Sequence, residues 1–128
     1  MAEPEQIRST VEKYLALFTA KDRDGWLALW SDDATMEDPV GSDPRRGKEE
    51  IGAFFDQGHT QADSVELRPD GPVIVLGHEA SFTFQVRPTL GGQAFVLPAI
   101  DVMTFDEAGL ITSQRAFVDF GMLAPAED

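Results

Sequence analysis

Apolar positions at three- and four-residue spacing open the chain. Ile7, Val11, Tyr14, Leu15 and Phe18 fall on one stripe and predict a helix over about residues 5–20. Pro4 and the acids Glu3 and Glu5 suit its start. A polar break at Lys21-Asp22-Arg23-Asp24 follows, and Asp22 or Asp24 can cap a short second helix over residues 25–30. Trp26, Leu27 and Trp30 would share its face, and Ser31-Asp32-Asp33 would end it. Residues 34–38 predict a brief strand with Met36 and Asp38 on one face and Glu37 on the other. Pro39 favours an extended Asp38 and stops strand pairing. Residues 41–47 read as a loop. A third helix is expected over about residues 48–57, with Ile51, Phe54 and Phe55 inward and Gly58 near its end.

Beyond residue 60 the period shifts to two. Residues 64–68 predict a strand, then a turn at Pro69-Asp70-Gly71-Pro72 and an apolar stretch over 73–76. Residues 79–87 alternate, with Phe82, Phe84 and Val86 on one face. Gly91-Gly92 predicts a hairpin with a longer loop into a strand over 93–105. Within that strand Pro98 cannot donate to a ladder, which implies a bulge or an edge. Asp106-Glu107-Ala108-Gly109 makes the next turn. A last strand over 110–120 carries Gln114, Ala116, Val118 and Phe120 on one face. The tail over 124–128 is expected to be loose. Helices first and a sheet afterwards imply an α+β domain. We expect one domain over residues 1–128, its curved, mostly antiparallel sheet wrapped around three N-terminal helices and leaving a deep apolar pocket between them.

Composition narrows the function classes. The chain has 42% hydrophobic and 26% charged residues, an ordinary globular balance rather than a disordered one. Its formal charge of −13 argues against nucleic acid or an anionic membrane as partner. The absence of cysteine excludes disulfides and thiolate chemistry. The acidic, polar start is unlike a signal peptide, and no apolar run reaches the length of a membrane span. A cytoplasmic location is the resulting expectation. His59 and His78 lack the spacing of a metal site and read as surface or structural residues.

The chemistry concentrates in Leu97-Pro98-Ala99-Ile100-Asp101-Val102-Met103-Thr104-Phe105. Ala99, Asp101, Met103 and Phe105 share one face of an interior strand, apolar on both sides. An acid in such a place is pushed towards its neutral form, which retains one O–H donor. Asp101 therefore reads either as a neutral donor aimed at a ligand oxygen or as a solvated acid near a strand edge or pocket mouth. Tyr14, the one tyrosine, lies within the apolar stripe of the first helix. It is either a core tyrosine bonded to a carbonyl or a donor at the bottom of a pocket. Asp38 sits at a strand end, where an Asp before a Pro is commonly a turn residue.

Taken together, these residues resemble bacterial ketosteroid isomerases within the wider NTF2-like and SnoaL-like group. The similarity runs from about Glu5 to Phe120. It is strongest in Asp32-Asp33-Ala34-Thr35-Met36-Glu37-Asp38-Pro39-Val40-Gly41 and Ala99-Ile100-Asp101-Val102-Met103-Thr104-Phe105-Asp106. The resemblance implies a cofactor-independent steroid Δ-isomerase, an intramolecular oxidoreductase that transposes a C=C bond and requires no metal. It makes Asp38 the general base, and Tyr14 and a protonated Asp101 the oxyanion-hole donors, an arrangement already described for this family. Phe84 would pack on the steroid near the base, with Trp30, Phe55, Met103 and Val118 as further substrate contacts. A homodimer is also implied, compatible with an exposed sheet face that includes Phe117.

The chain departs from that pattern where some members carry tyrosines, at Phe55 and at Trp30. Tyr14 thus has no tyrosine neighbour, and the Trp30 indole is the expected substitute donor. Val118 replaces an aromatic and makes the pocket wall roomier. Two other functions stay open on the same residues. One is a non-catalytic binder of steroids or other polycyclic ligands, the other a SnoaL-like polyketide cyclase or dehydratase.

Overall fold

The computed structural model describes residues 1–127. Helix α1 (Pro4–Thr19) begins with Pro4 in its first turn, as its sequence suits, and buries Ile7, Thr10, Val11, Tyr14, Leu15 and Phe18. Helix α2 (Arg23–Leu27) is shorter than its apolar pattern predicts. Asp22 caps it by accepting a hydrogen bond from the Gly25 backbone N–H at 3.0 Å. Trp30 does not extend α2 but begins strand β1 (Trp30–Glu37), and Ser31-Asp32-Asp33 belongs to that strand. Burial explains the difference: Trp26 and Trp30 are both fully buried, and their rings pack 5.3 Å apart from different elements.

Arg45 and Arg46 are not simply loop. They form the two-residue strand β2 (Arg45–Arg46), antiparallel to β1. Helix α3 (Gly47–Thr60) runs past Gly58. It buries Ile51 and Phe55 in the core, with Phe54 partly buried beside them.

The second half is a meander of four strands, β3 (Ser64–Leu76), β4 (Glu79–Leu90), β5 (Gln93–Phe105) and β6 (Ile111–Val118). Pro69-Asp70-Gly71-Pro72 does not turn the chain back. Both halves of β3 pair with β4, and the four steps from Pro69 to Val73 answer only two on β4, from Phe84 to Phe82. The extra residues form an irregularity that bends the strand. Gly91 and Gly92, at φ of 57° and 83°, make a two-residue turn in place of the longer loop expected. No register shift marks Pro98, which pairs with Gln85 on β4. It lies just before the point at which β5 begins to pair with β6, at Ala99. Its missing donor is tolerated as at an edge. The last strand ends at Val118, and Phe120 lies in a 3-10 turn (Phe120–Met122), 64% exposed. The tail is not loose up to its described end: β7 (Ala124–Pro125) pairs with β5 at Phe95 and Val96.

The strand order is β2-β1-β6-β5-β4-β3, with β7 against β5. The curved, mostly antiparallel sheet and three helices are the expected α+β cone. Its one parallel pairing, β1 with β6, brings the N-terminal half to the meander, with Met36 opposite Gln114 and Glu37 opposite Arg115. Among the described residues no helix is long and apolar enough to cross a membrane.

Candidate active site

Asp101 lies in the middle of β5, between Phe82 on β4 and Ala116 on β6. Its side chain is wholly buried. Of the two readings open from the strand, a solvated acid is thereby removed. Burial pushes the Asp101 carboxyl well above its ordinary range; the charge of Asp38 adds to this, while hydrogen bonds from Gln114 and Tyr14 oppose it.

Asp38 follows the end of β1. Glu37 holds this corner: one carboxylate oxygen accepts from the Gly41 N–H at 2.8 Å, the other from Arg115 Nε at 2.9 Å. The Val40 N–H donates to the Ala116 carbonyl at 2.8 Å, tying the corner to β6. Asp38 is half-buried. Burial raises its carboxyl as well, but hydrogen bonding from Gln114 and the positive charge of Arg45 hold the rise back. The two acids therefore differ, with Asp101 pushed further towards neutrality than Asp38.

Tyr14 comes from the apolar stripe of α1, and only 2% of it is exposed. Its ring packs against Trp26 (5.6 Å), Trp30 (6.2 Å) and Phe82 (6.5 Å). Its hydroxyl meets Asp101 and Gln114, and burial pushes its pKa well up, with the charges of Asp101 and Asp38 adding to it. The expected substitute donor is not in place: the Trp30 indole N–H is buried without a partner among the described residues.

These three side chains, from α1, the end of β1 and the middle of β5, converge on a fourth. Gln114 Nε2 donates to Asp38 Oδ2 at 3.1 Å and to Asp101 Oδ2 at 3.2 Å. Gln114 sits on β6 one step diagonal to Asp101, since Asp101 faces Ala116 directly, and a long side chain spans that diagonal. Sequence reasoning placed Gln114 on one face of the last strand, with Ala116 and Val118, without assigning it to the site. The signal was available: a carboxamide on a buried face needs polar partners.

A cleft of about 660 Å³ lies along β4, β5 and β6, and Tyr14, Asp38 and Asp101 are not among the residues that line it. Phe84, Ala99, Ala116 and Val118 line it, so two of its lining residues, Ala99 and Ala116, flank Asp101. Asp70, Thr83, Pro98 and Ile100 line it as well, with Val40, Phe117, Asp119 and Met122. A second hollow, of about 470 Å³, is the one that Asp38 lines, with Ser42, Asp43, Arg45 and Glu50, and Tyr14 and Asp101 line neither hollow. Phe84 and Val118 line the first of these. Trp30, Phe55 and Met103 are core residues that line neither hollow: Trp30 and Met103 are fully buried, and Phe55 packs on Phe18, Trp26 and His59. His59 stacks on Phe18 and Phe55, a structural position. No cluster of three or more potential metal ligands occurs among the described residues.

A buried acid pushed towards its neutral form, a phenol and a less perturbed carboxyl around one polar point can move a proton and hold an oxyanion. The chain belongs to the SnoaL-like domain family, whose model matches residues 11–114. Within it, the chain is 40% identical over 112 residues to a protein of Nocardioides simplex named steroid Delta-isomerase, covering 88% of this chain and 89% of that one. The fold is also that of the epoxide hydrolase/cyclase-like enzyme SalBIII, described for its role in pyran ring formation in polyether salinomycin. That match has a TM-score of 0.89 over 98% of this chain and all of the other, at 24% identity, which is a likeness of fold. The resemblance drawn from the residues around Asp38 and Asp101 is borne out at the level of a ketosteroid isomerase-like protein.

Proposed function

We propose that this chain isomerises 3-oxo-Δ5-steroids to the conjugated 3-oxo-Δ4 isomers. The carbon between ketone and alkene carries a weakly acidic proton. Ionised Asp38 removes it, which leaves a dienolate. The charge that develops on the carbonyl oxygen is met by hydrogen bonds from Tyr14 and neutral Asp101, stronger because the site excludes water. Asp38 then returns the proton two carbons further along. The reaction calls for no metal or cofactor. Phe84 and Val118 form the apolar wall along which the steroid rings lie.

The observation that carries this reading is the meeting of Tyr14, Asp38 and Asp101 at one point, with the two carboxyls in unequal surroundings. The activity named for the relative from Nocardioides simplex supports it. The test is to add 5-androstene-3,17-dione and follow the conjugated enone by ultraviolet absorbance. Turnover that disappears in Asp38→Asn is the expected result. Absence of turnover, with saturable steroid quenching of tryptophan fluorescence, would instead make the protein a binder. We propose further that two copies associate through the outer face of the sheet, where Ile100 and Phe117 stand opposite one another and are 42% and 43% exposed. A monomeric mass by light scattering would refute this.

A further inference from the structure

We propose that Gln114 is a positioning residue: its carboxamide nitrogen, held between the two acids, determines which oxygen of each carboxyl is left free for chemistry. The catalytic consequence rests on the isomerase reading above; the geometry does not. An amide nitrogen has two hydrogens, and here each has a carboxyl to meet, Asp38 Oδ2 at 3.1 Å and Asp101 Oδ2 at 3.2 Å. With Oδ2 of Asp101 engaged as an acceptor, the proton of the neutral acid belongs on Oδ1. That oxygen is buried and has no partner among the described residues. It is the donor available to a ligand. With Oδ2 of Asp38 engaged in the same way, the basic oxygen left to accept a proton is Oδ1.

The orientation of the amide follows from charge. Turned over, Gln114 would aim its oxygen at both carboxyls, and it could bond to them only if both were protonated. A site that needs one ionised base excludes that arrangement. Gln114 is itself fully buried, so no water competes for its hydrogens. The remaining groups facing Asp38 are Tyr14 from α1, Asp101 from β5, Arg45 from β2, and Asp43 and Glu50 around the second hollow. Arg45 is the one cation among them, and it is also committed to Gln57 at 2.9 Å. Gln114 is thus the short-range donor that keeps Asp38 charged.

The test is carbon NMR of protein labelled at the aspartate carboxyls, with the resonances of Asp38 and Asp101 assigned by Asp38→Asn and Asp101→Asn. In Gln114→Met, which keeps the length and removes the amide, Asp38 should titrate at higher pH than in the wild type. In the isomerase assay kcat should fall roughly 10-fold or more, the range for one hydrogen bond to a charged group, with KM little changed. The acidic limb of the pH profile should move with Asp38. An unchanged Asp38 titration in a folded Gln114→Met would overturn the proposal, whatever the effect on melting temperature. A wild-type measurement guards against a variant that does not fold. The two Gln114 side-chain amide protons should be resolved, slow to exchange and shifted along the titration of Asp38. An averaged, fast-exchanging, pH-insensitive pair would also overturn it. A wild type without turnover would remove the isomerase reading and leave these titrations to decide the placement of the amide.

Discussion

Replacing Asp101 with Asn should stabilise the protein at neutral pH while damaging the site. Asp101 is wholly enclosed, and burial raises its carboxyl well above the range of about 4 that it has in an unfolded chain. Between those two values the folded state holds a proton that the unfolded state releases. Stability then falls as pH rises, by about 1.4 kcal/mol per pH unit for one proton. Asn has the shape of the acid, can accept the Gln114 hydrogen bond and does not titrate. The variant therefore escapes this loss, and its advantage over the wild type should grow with pH. For a carboxyl that stays neutral through pH 7, the advantage gained from pH 5 to pH 7 is about 2.7 kcal/mol. In a domain of this size that is roughly 10 °C in melting temperature. The assay is calorimetry of both proteins at half-unit steps from pH 3 to pH 8. The curves should converge below about pH 4, where both the folded and the unfolded wild type hold the proton. A difference that stays constant with pH would show Asp101 ionised in the fold and refute the argument.

Asp38→Asn should lower kcat by at least about 10²-fold, the lower range for a general base, in the ultraviolet assay. Tyr14→Phe should cost about 10²–10³ in kcat, as for one oxyanion donor, with little change in KM. Only ionised Asp38 accepts a proton, and burial raises its pKa, so kcat/KM should fall as pH drops through a midpoint above about 4. Met103→Ala, at a fully buried position of β5, should cost about 2–5 kcal/mol in denaturant unfolding.

The elements with a clean period were legible. The α1 stripe and the alternation of β4 follow from side-chain spacing, because one face of each is buried, and the limits of β5 follow from the turn residues on either side of it. Three features were not. Trp30 continues the apolar face of α2 on paper, but its ring is needed in the core from the start of β1, and packing overrides local pattern. Pro69-Asp70-Gly71-Pro72 has the composition of a turn, and nothing local reveals that one partner strand pairs on both sides of it. The pairing of the tail with β5 depends on the free edge left where β6 stops. Within the site, Asp38, by itself a turn residue before proline, was picked out by the family resemblance, while Tyr14 and Asp101 stood out as polar groups on apolar faces. Gln114 shares that property, but its role depends on the parallel pairing of β1 with β6, a contact between distant segments.

That pairing is also why two aspartates in one chain reach different states. Asp101 occupies the centre of a strand with partners on both sides, Phe82 and Ala116, and its side chain is wholly buried, so solvation of a charge is denied it. Asp38 occupies the first position beyond β1, where the chain leaves the sheet and opens to a hollow that contains Arg45 and Ser42. Parallel alignment with β6 then carries this strand end to Gln114, within one side chain of Asp101. Proximity makes their charges mutually unfavourable, and the more deeply enclosed acid is the one pushed further towards its neutral form. The unequal surroundings of the two carboxyls thus follow from where each sits relative to its strand, and the amide of Gln114 bridges them.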